Sequence, residues 1–181
     1  MQRLPLATAS LRLRHFVLDD AAAIMALNTE SSTRRWLPSH VYASLDDAIA
    51  ALRFLIACYA APGDPRHGPY VLAVERGPAG PLLGHVGFSP LDDEVEVSYA
   101  IAEAAGGHGY AAEALVHACD WIAEAYAVAD VAAVTAAENL ASRRTLERAS
   151  FTHLHDEVMM FQGTQRIVSR YGRRADPAAR R

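Results

Sequence analysis

The sequence contains no lysine: its 17 basic residues are all arginines. Without lysine the protein cannot form a lysine Schiff base, and it cannot use the lysine of a P-loop to hold nucleotide phosphates. The formal net charge is −4, so the chain also lacks the basic surface that is typical of nucleic-acid binders. We therefore expect neither a Schiff-base enzyme, nor a P-loop protein, nor a protein that binds nucleic acid.

Cysteine and long apolar segments are also scarce. Cys58 and Cys119 are too few for a disulfide framework and do not have metal-ligand spacing; both lie in helical patterns, which predicts small buried side chains. No apolar run approaches the ~20 residues of a membrane span. Residues 1–10 lack the charged start and apolar core of a secretory signal. We expect a metal-free protein of the cytoplasm that does not bind membranes.

The chain of 181 residues is predicted to form a single domain over residues 1–172, followed by a tail over residues 173–181. This length is sufficient to bury a substantial core. Apolar residues make up 51% of the sequence and charged residues 21%, as in ordinary globular proteins. Residues 173–181 are rich in arginine and have no periodicity, which predicts a frayed end.

Hydrophobic periodicity predicts an α+β order of elements. Strands are expected over residues 10–16, 70–75, 82–88, 94–101, 130–135, 151–160 and 165–171, and helices over about 19–28, 44–60, 111–126 and 139–149. Asp19 or Asp20 is expected to cap the first helix, and Ser44 and Asn139 to cap later ones. A meander of three strands precedes a helix, which favours a mixed sheet over a regular βαβ alternation.

The segment that follows the strand at residues 94–101 contains Gly106, Gly107 and Gly109 and leads directly into a helix. Glycine allows the backbone to approach a ligand closely, and a helix N-terminus favours anions. The arrangement therefore predicts a ligand that carries phosphate.

Residues 107–112 also satisfy the G-x-G-x-x-G/A fingerprint of dinucleotide sites, and Glu138 could bind a ribose. An NAD(P)-dependent Rossmann-type reductase is thus one alternative.

Three features oppose the dinucleotide alternative. Residues 103–106 separate the strand from the first glycine of the fingerprint. The pattern contains one βαβ unit, with too little chain after it for a doubly wound sheet, and a hairpin meander precedes it. A different phosphate compound is therefore favoured.

Residues 104–109, Ala-Ala-Gly-Gly-His-Gly, resemble the acetyl-CoA turn of the GNAT N-acetyltransferases, whose pattern is Arg/Gln-x-x-Gly-x-Gly/Ala. The RimJ/RimL type of this superfamily resembles nearly the whole chain, through residues 11–14, 84–88, 96–99, 107–114, 138–144 and 146–151. Each motif alone is weak, but their order and separations fit together. The resemblance implies a three-layer α/β/α fold whose mixed, mostly antiparallel sheet splays at the acetyl-CoA site.

The turn departs from the family pattern at several positions. Ala104 stands where the family carries a polar side chain, Gly106 replaces a bulky residue, and Ser150 stands where glycine is usual. In this family the pyrophosphate is held mainly by backbone amides of the turn, which correspond to residues 107–111 of this sequence. We therefore expect acetyl-CoA to bind, but through a looser turn and with weaker affinity.

The resemblance also implies an activity and a set of residues. The activity is transfer of an acetyl group from acetyl-CoA, as cosubstrate and without a metal, to a primary amine by direct attack. In the family the pantetheine lies along the splayed end of the central strand, close to the cofactor turn and to the cap of a later helix. The residues of this chain implied for the cofactor are Ile101, Gly106, Gly107, His108, Gly109, Tyr110, Ala111, Asn139 and Arg143.

Glu96 and Ser142 are the candidate catalytic residues. Alternation places Glu94, Glu96 and Ser98 on the face of the strand opposite its apolar residues, and two carboxylates on a dry face would be unfavourable, so this face is expected to line a cleft. An attacking ammonium must first lose a proton. By resemblance Glu96 accepts that proton, with Glu94 as its rival, and Ser142 protonates the departing CoA thiolate.

The acceptor is a primary amine, either a protein N-terminus or a small molecule. Trp36 and Tyr42, between the first two predicted helices, are candidates for the wall of its site. An acyl-CoA-binding module without catalysis is a second alternative, because the turn is altered and the base is not fixed. The sequence does not indicate an oligomeric state, and it is compatible with a homodimer.

Overall fold

The computed structural model describes residues 4–174. Its strands are β1 (Leu6–Ala7), β2 (Leu11–His15), β3 (Tyr70–Arg76), β4 (Leu82–Leu91), β5 (Glu94–Ile101), β6 (Asp130–Ala136), β7 (Thr152–Phe161) and β8 (Thr164–Arg174). The helices are α1 (Ala21–Thr29), α2 (Ser31–Trp36), α3 (Leu45–Cys58), α4 (Tyr110–Tyr126) and α5 (Leu140–Arg148). All eight strands form one sheet in the order β1-β2-β3-β4-β5-β6-β8-β7.

Alternation along the strands divides the apolar residues between the two faces of the sheet. Leu11, Leu13 and Val97 belong to the larger core, which also contains Leu115 and Ile122 of α4. A smaller core lies on the other face, where Phe16, Ala73 and Ala100 meet Ile24 of α1 and Leu52 of α3. Helices thus cover both faces, and the predicted three-layer fold is confirmed.

The sheet is antiparallel at every junction except the one between β5 and β6. These two strands are parallel and pair only at Val95 with Val131 and at Glu96 with Ala132. Both strands continue past this point, to Ile101 and Ala136, without pairing with each other. The sheet therefore splays open between β5 and β6, as the family resemblance predicted, and we call this opening the seam.

The predicted helix caps are only partly correct. Ser44 accepts a hydrogen bond from the Asp47 backbone N–H at 3.2 Å at the start of α3, as expected. Asp20 precedes α1 but makes no side-chain cap. Its carboxylate instead accepts two hydrogen bonds from Arg14, at 2.7 and 2.8 Å. The cap prediction for Asp20 was wrong because a partly buried arginine on β2, Arg14, competes for the same oxygens.

Two short elements were missing from the predicted order. β1 has two residues and α2 has six, too few for a period to be visible. The sequence of α2, Ser-Ser-Thr-Arg-Arg-Trp, also has no apolar stripe. Tertiary contacts rather than local pattern therefore define both elements.

The predicted tail begins too early. β8 extends to Arg174, and Arg173 donates a hydrogen bond to Asp120 of α4 at 2.6 Å. Residues 173 and 174 therefore belong to the sheet, because an ion pair with α4 holds the end of the strand. The rest of the predicted tail, residues 175–181, lies outside the described residues.

Both cysteines are buried and unpaired, as predicted, and burial raises the pKa of the Cys119 thiol to about 12. Within residues 4–174, no cluster of three or more His, Cys, Asp or Glu side chains is arranged to hold a metal ion. The helices in this range include none that combines the length and the apolar character needed to cross a membrane.

Candidate active site

The glycine turn adopts a backbone conformation that only glycine accepts readily at two positions. Gly107 has φ +78° and Gly109 has φ +82°, values that are strained for a residue with a Cβ. A Cβ built on either residue would meet no atom within 4 Å. The space above the turn is therefore open to a ligand, and Gly109 leads directly into α4.

The first turn of α4 presents backbone donors to that space. Helical hydrogen bonding begins with the Glu113 N–H, which donates to the Gly109 carbonyl at 3.0 Å. The N–H groups of Tyr110, Ala111 and Ala112 precede it and have no acceptor within the helix. They lie at the positive end of the helix dipole, where an anion is favoured.

Two side chains near the turn are held in place by hydrogen bonds. The His108 Nδ1 lies 2.8 Å from the Gly106 carbonyl oxygen; because a carbonyl only accepts, Nδ1 carries the proton. The Glu113 carboxylate, which would repel an anion, instead accepts hydrogen bonds from Thr8 Oγ1 at 2.5 Å and from the Ser10 N–H at 2.8 Å. The anionic group of α4 is thereby held against the β1–β2 connection.

The seam opens into a cavity of about 380 Å³, which we call the seam cavity. One wall is the end of β5 and the glycine turn, and the other is β6 and the start of α5. It is lined by residues 97–103, 105–107, 109–112, 133–136, 139, 141, 142, 145, 146 and 148, and by Ser32, Thr33, Trp36, Leu37 and Phe161. The cavity therefore runs from β5, the strand that carries Glu94 and Glu96, to the N-terminal end of α4, where an anion is favoured.

The seam cavity brings together most of the residues predicted for the cofactor. Ile101, Gly106, Gly107, Gly109, Tyr110, Ala111 and Asn139 all line it. His108 and Arg143 do not. The Arg143 Nε donates to the Tyr171 hydroxyl at 3.1 Å and its Nη1 to the Ala137 carbonyl at 3.3 Å. Arg148, five residues later on α5, lines the cavity instead.

Ser142 lines the seam cavity in a fixed position. Its backbone N–H donates to Asn139 Oδ1 at 3.1 Å, so Asn139 caps α5 as predicted. Its hydroxyl oxygen lies 2.9 Å from the Tyr99 hydroxyl oxygen, and the Tyr99 O–H donates to the Ser142 carbonyl at 3.2 Å. Burial raises the pKa of Tyr99, so this phenol stays protonated at neutral pH. The sequence interpretation missed Tyr99, although its place on the same face as Ile101 could have indicated it.

Glu96 lies at the point where the two strands separate. Its backbone pairs with Ala132, in the last residue pair before the seam, and its carboxylate accepts a hydrogen bond from the Val134 N–H. Burial raises the pKa of Glu96, and the nearby Arg170 and the Val134 N–H only partly offset this shift. Glu96 does not itself line the seam cavity. A carboxyl with a raised pKa is suited to accept a proton near neutral pH.

Glu94, the rival base, has a different environment. Its carboxylate is ion-paired with Arg170 and is 46% exposed. Arg170 therefore occupies this carboxylate, and solvent also reaches it. The geometry thus favours Glu96 over Glu94 as a proton acceptor.

A second cavity, of about 270 Å³, lies on the face of the sheet covered by α1 and α3, and we call it the α1–α3 cavity. Of the two residues predicted for the acceptor wall, Tyr42 lines this cavity and Trp36 lines the seam cavity. Ser98 lines both. The two cavities therefore approach each other at the central strand.

Comparisons with known proteins agree with this geometry. A family model described as an acetyltransferase (GNAT) domain matches residues 10–152. No curated protein has a sequence that matches significantly.

Solved structures with the same fold include RimL, a ribosomal L7/L12 α-N-protein acetyltransferase in complex with coenzyme A, with 16% identity, a TM-score of 0.80, and coverage of 96% of this chain and 98% of that chain. The ribosomal-protein-S5-alanine acetyltransferase from Vibrio fischeri has 15% identity, a TM-score of 0.80, and coverage of 96% and 98%. The microcin C7 self-immunity acetyltransferase MccE, in complex with acetyl-CoA and AMP, has 14% identity, a TM-score of 0.76, and coverage of 92% and 93%. Together with its splayed sheet and glycine turn, the family match over residues 10–152 shows that this chain belongs to the GNAT acetyltransferases.

Proposed function

We propose that the protein transfers the acetyl group of acetyl-CoA to a primary amine by direct attack of the amine on the thioester. The observation that carries the proposal is the seam, which opens between β5 and β6 after Glu96 and leads to the glycine turn. RimL and MccE, which share the fold, were solved with coenzyme A and acetyl-CoA.

The residues along the seam fit a CoA thioester. The N–H groups of residues 110–112 and the open space above Gly107 and Gly109 suit a pyrophosphate. Past Glu96, β5 has no strand paired on its β6 side, so its free backbone groups can bond to the amides of pantetheine. Arg148 also lines the cavity, and we assign to it the cofactor contact that the family resemblance implied for Arg143.

Two side chains supply proton transfer in this proposal. Glu96 accepts a proton from the ammonium through a bridging water, since the carboxylate lies beside the cavity rather than in its wall. The amine nitrogen then forms a bond to the carbonyl carbon, whose oxygen is polarised by backbone N–H groups of β5. The C–S bond breaks as Ser142 gives its proton to the departing thiolate and takes up the second proton that the amine nitrogen must lose to become an amide, while Glu96 releases its proton to water.

Binding and turnover measurements test the proposal. Calorimetry should detect binding of CoA and acetyl-CoA but not of NADPH, and incubation with acetyl-CoA and an amine panel should release CoA. Ala104 and Gly106 should make the affinity weaker than is usual for the family. Binding of NADPH without CoA would overturn the proposal in favour of a reductase, and CoA binding without turnover would leave an acyl-CoA-binding module.

The hydrogen bond between Tyr99 and Ser142 yields a further prediction. Tyr99→Phe removes one bond to the Ser142 hydroxyl, typically ~1 kcal/mol, and should lower kcat about fivefold with little change in KM for acetyl-CoA. If Tyr99 acts only by positioning Ser142, then Tyr99→Phe should have no additional effect in a Ser142→Ala background. Losses that multiply in the double variant would show that Tyr99 acts independently.

A further inference from the structure

The α1–α3 cavity is mostly apolar. Its wall is formed by residues of α1, α3, β3, β4 and β5 and of the connections beside them, among them Phe16, Ile24, Leu52, Leu55 and Val71. Its volume of about 270 Å³ is just below the usual range for ligand pockets, roughly 300–1,000 Å³. The cavity therefore fits one ring or one short side chain rather than a folded segment.

The polar groups that line this cavity are neutral. Among the described residues, no Asp, Glu or Arg contributes to its wall. His40 and His85 lie with ring centroids 5.8 Å apart, and burial lowers the pKa of both, that of His85 to about 3. Both rings are uncharged at neutral pH. The additional positive charges of a polyamine would have no carboxylate to pair with in this wall, so the free energy lost on removing them from water would not be recovered.

Asn28 offers a hydrogen-bond acceptor at the same cavity. It lies near the end of α1, lines the cavity, and is 2% exposed. Its side-chain oxygen has no hydrogen-bond partner within residues 4–174, which is unusual because buried polar atoms are nearly always paired. A ligand N–H at this position would satisfy the oxygen.

The cavity also lies next to the proposed chemistry. Ser98 lines both cavities, and Ser89, which lines the α1–α3 cavity, is the cross-strand partner of Glu96. Glu96 and Ser98 are two residues apart on β5 and share a face. A ligand seated among the apolar side chains can thus place an amine near the base and the seam.

We propose that the α1–α3 cavity binds the amine acceptor, and that this acceptor is a primary amine attached to an uncharged apolar or aromatic group, with a ligand N–H bonded to the Asn28 side-chain oxygen. The inference rests on the proposed acetyl transfer and names its substrate class. A free arylalkylamine and a polypeptide N-terminus with an apolar first side chain share this chemistry.

Competing acceptors provide the first test. Initial rates at saturating acetyl-CoA would be measured with 2-phenylethylamine, the tripeptide Phe-Ala-Ala amide, glycinamide and spermidine. We expect kcat/KM for at least one of the two aromatic amines to exceed that for spermidine and glycinamide by tenfold or more. The better of the two aromatic amines identifies the source, free amine or polypeptide.

Two cavity variants provide the second test. Asn28→Leu should raise KM for the preferred amine about tenfold while keeping or raising the melting temperature, because the unpartnered oxygen is removed. Phe54 lines the cavity but is 59% exposed, so Phe54→Glu should fold normally and shift the preference toward spermidine. Leu45→Glu is the matched control, because Leu45 lies on the same helix, is 48% exposed, and lines neither cavity.

The outcomes separate this inference from the proposed function. Efficient acetylation of spermidine but not of the aromatic amines would overturn the inference and leave acetyl transfer intact. Unchanged KM values in Asn28→Leu and Phe54→Glu would also overturn it. Failure to bind CoA at all would overturn the proposed function itself, and the inference with it.

Discussion

Replacing Glu96 with glutamine should lower kcat at pH 7 by about 10²–10⁴-fold, the usual contribution of a general base. Glutamine has nearly the same shape but cannot accept the ammonium proton. Acetyl-CoA affinity should stay nearly unchanged, because Glu96 does not line the seam cavity. Steady-state rates and calorimetry on the same preparation check both halves of this prediction.

The pH profile makes the prediction specific to proton transfer. Burial raises the pKa of Glu96, so the wild-type rate should rise with pH as this carboxyl ionises above its usual range. The loss in the variant should be largest below the pKa of the amine and should shrink above it, where the amine is already deprotonated. Equal rates for the two proteins at every pH would remove Glu96 from the mechanism.

Glu94→Gln is the matched control for this experiment. It removes an equivalent carboxylate from the same face of β5, but one that is 46% exposed and ion-paired with Arg170. Its effect on kcat should be small beside that of Glu96→Gln. A larger loss in Glu94→Gln would identify Glu94 as the base.

The same pKa shift predicts a change in stability. A group whose pKa is raised by folding stabilises the native state below its unfolded pKa, and that contribution is lost as the pH rises through the folded pKa. Ionised Glu96 therefore opposes folding at neutral pH. Glu96→Gln should unfold at higher denaturant concentration than the wild type at pH 7, and this gain should disappear as the pH falls below the usual pKa of a glutamate.

Gly84→Ala should have the largest effect on folding, a loss of at least ~3 kcal/mol. A Cβ on Gly84 would lie 1.9 Å from the Ala100 carbonyl oxygen, and this atom is backbone and cannot rotate away. This clash can be relieved only if β4 and β5 move apart next to Ile101, the cross-strand partner of Gly84. Denaturant unfolding should show the lost stability, and any folded fraction should bind acetyl-CoA more weakly.

Gly87→Ala on the same strand serves as its control. There the added Cβ would lie 3.1 Å from Val71 Cγ2 and 3.3 Å from Ser98 Oγ, both ends of side chains that can adjust. We expect a loss of about 1 kcal/mol or less. Equal destabilisation by the two variants would show that the contact with the Ala100 carbonyl oxygen does not decide the effect.

Most of the fold could be predicted because its pattern is local. Alternation in β5, the glycine turn and the stripe of α4 each extend over enough residues to be recognised. β1 and α2 could not be predicted, since both depend on contacts with distant elements. The end of β8 was missed for the same reason, because Arg173 is held by Asp120 of α4.

The backbone features of the site could be predicted from the sequence more easily than the positions of its side chains. Closely spaced glycines before a helix are visible in a sequence, so the turn at Gly107 and Gly109 could be located, and both residues have positive φ there. The choice between Arg143 and Arg148 depends on which one Tyr171 and Ala137 hold away from the cavity. The α1–α3 cavity combines residues from five elements, and no local pattern indicates such a set.

The seam has a consequence for how ligand binding couples to unfolding. In the part of the chain that the structure describes, strand pairing joins β6, β8 and β7 to the other five strands through two residue pairs only. A ligand that forms hydrogen bonds with the free edges of both β5 and β6 would bridge the two halves of the sheet. The halves could then separate only after the ligand had dissociated. The free energy of binding would then appear as protection of the whole sheet against opening, so amide exchange in β6 would slow when acetyl-CoA is present.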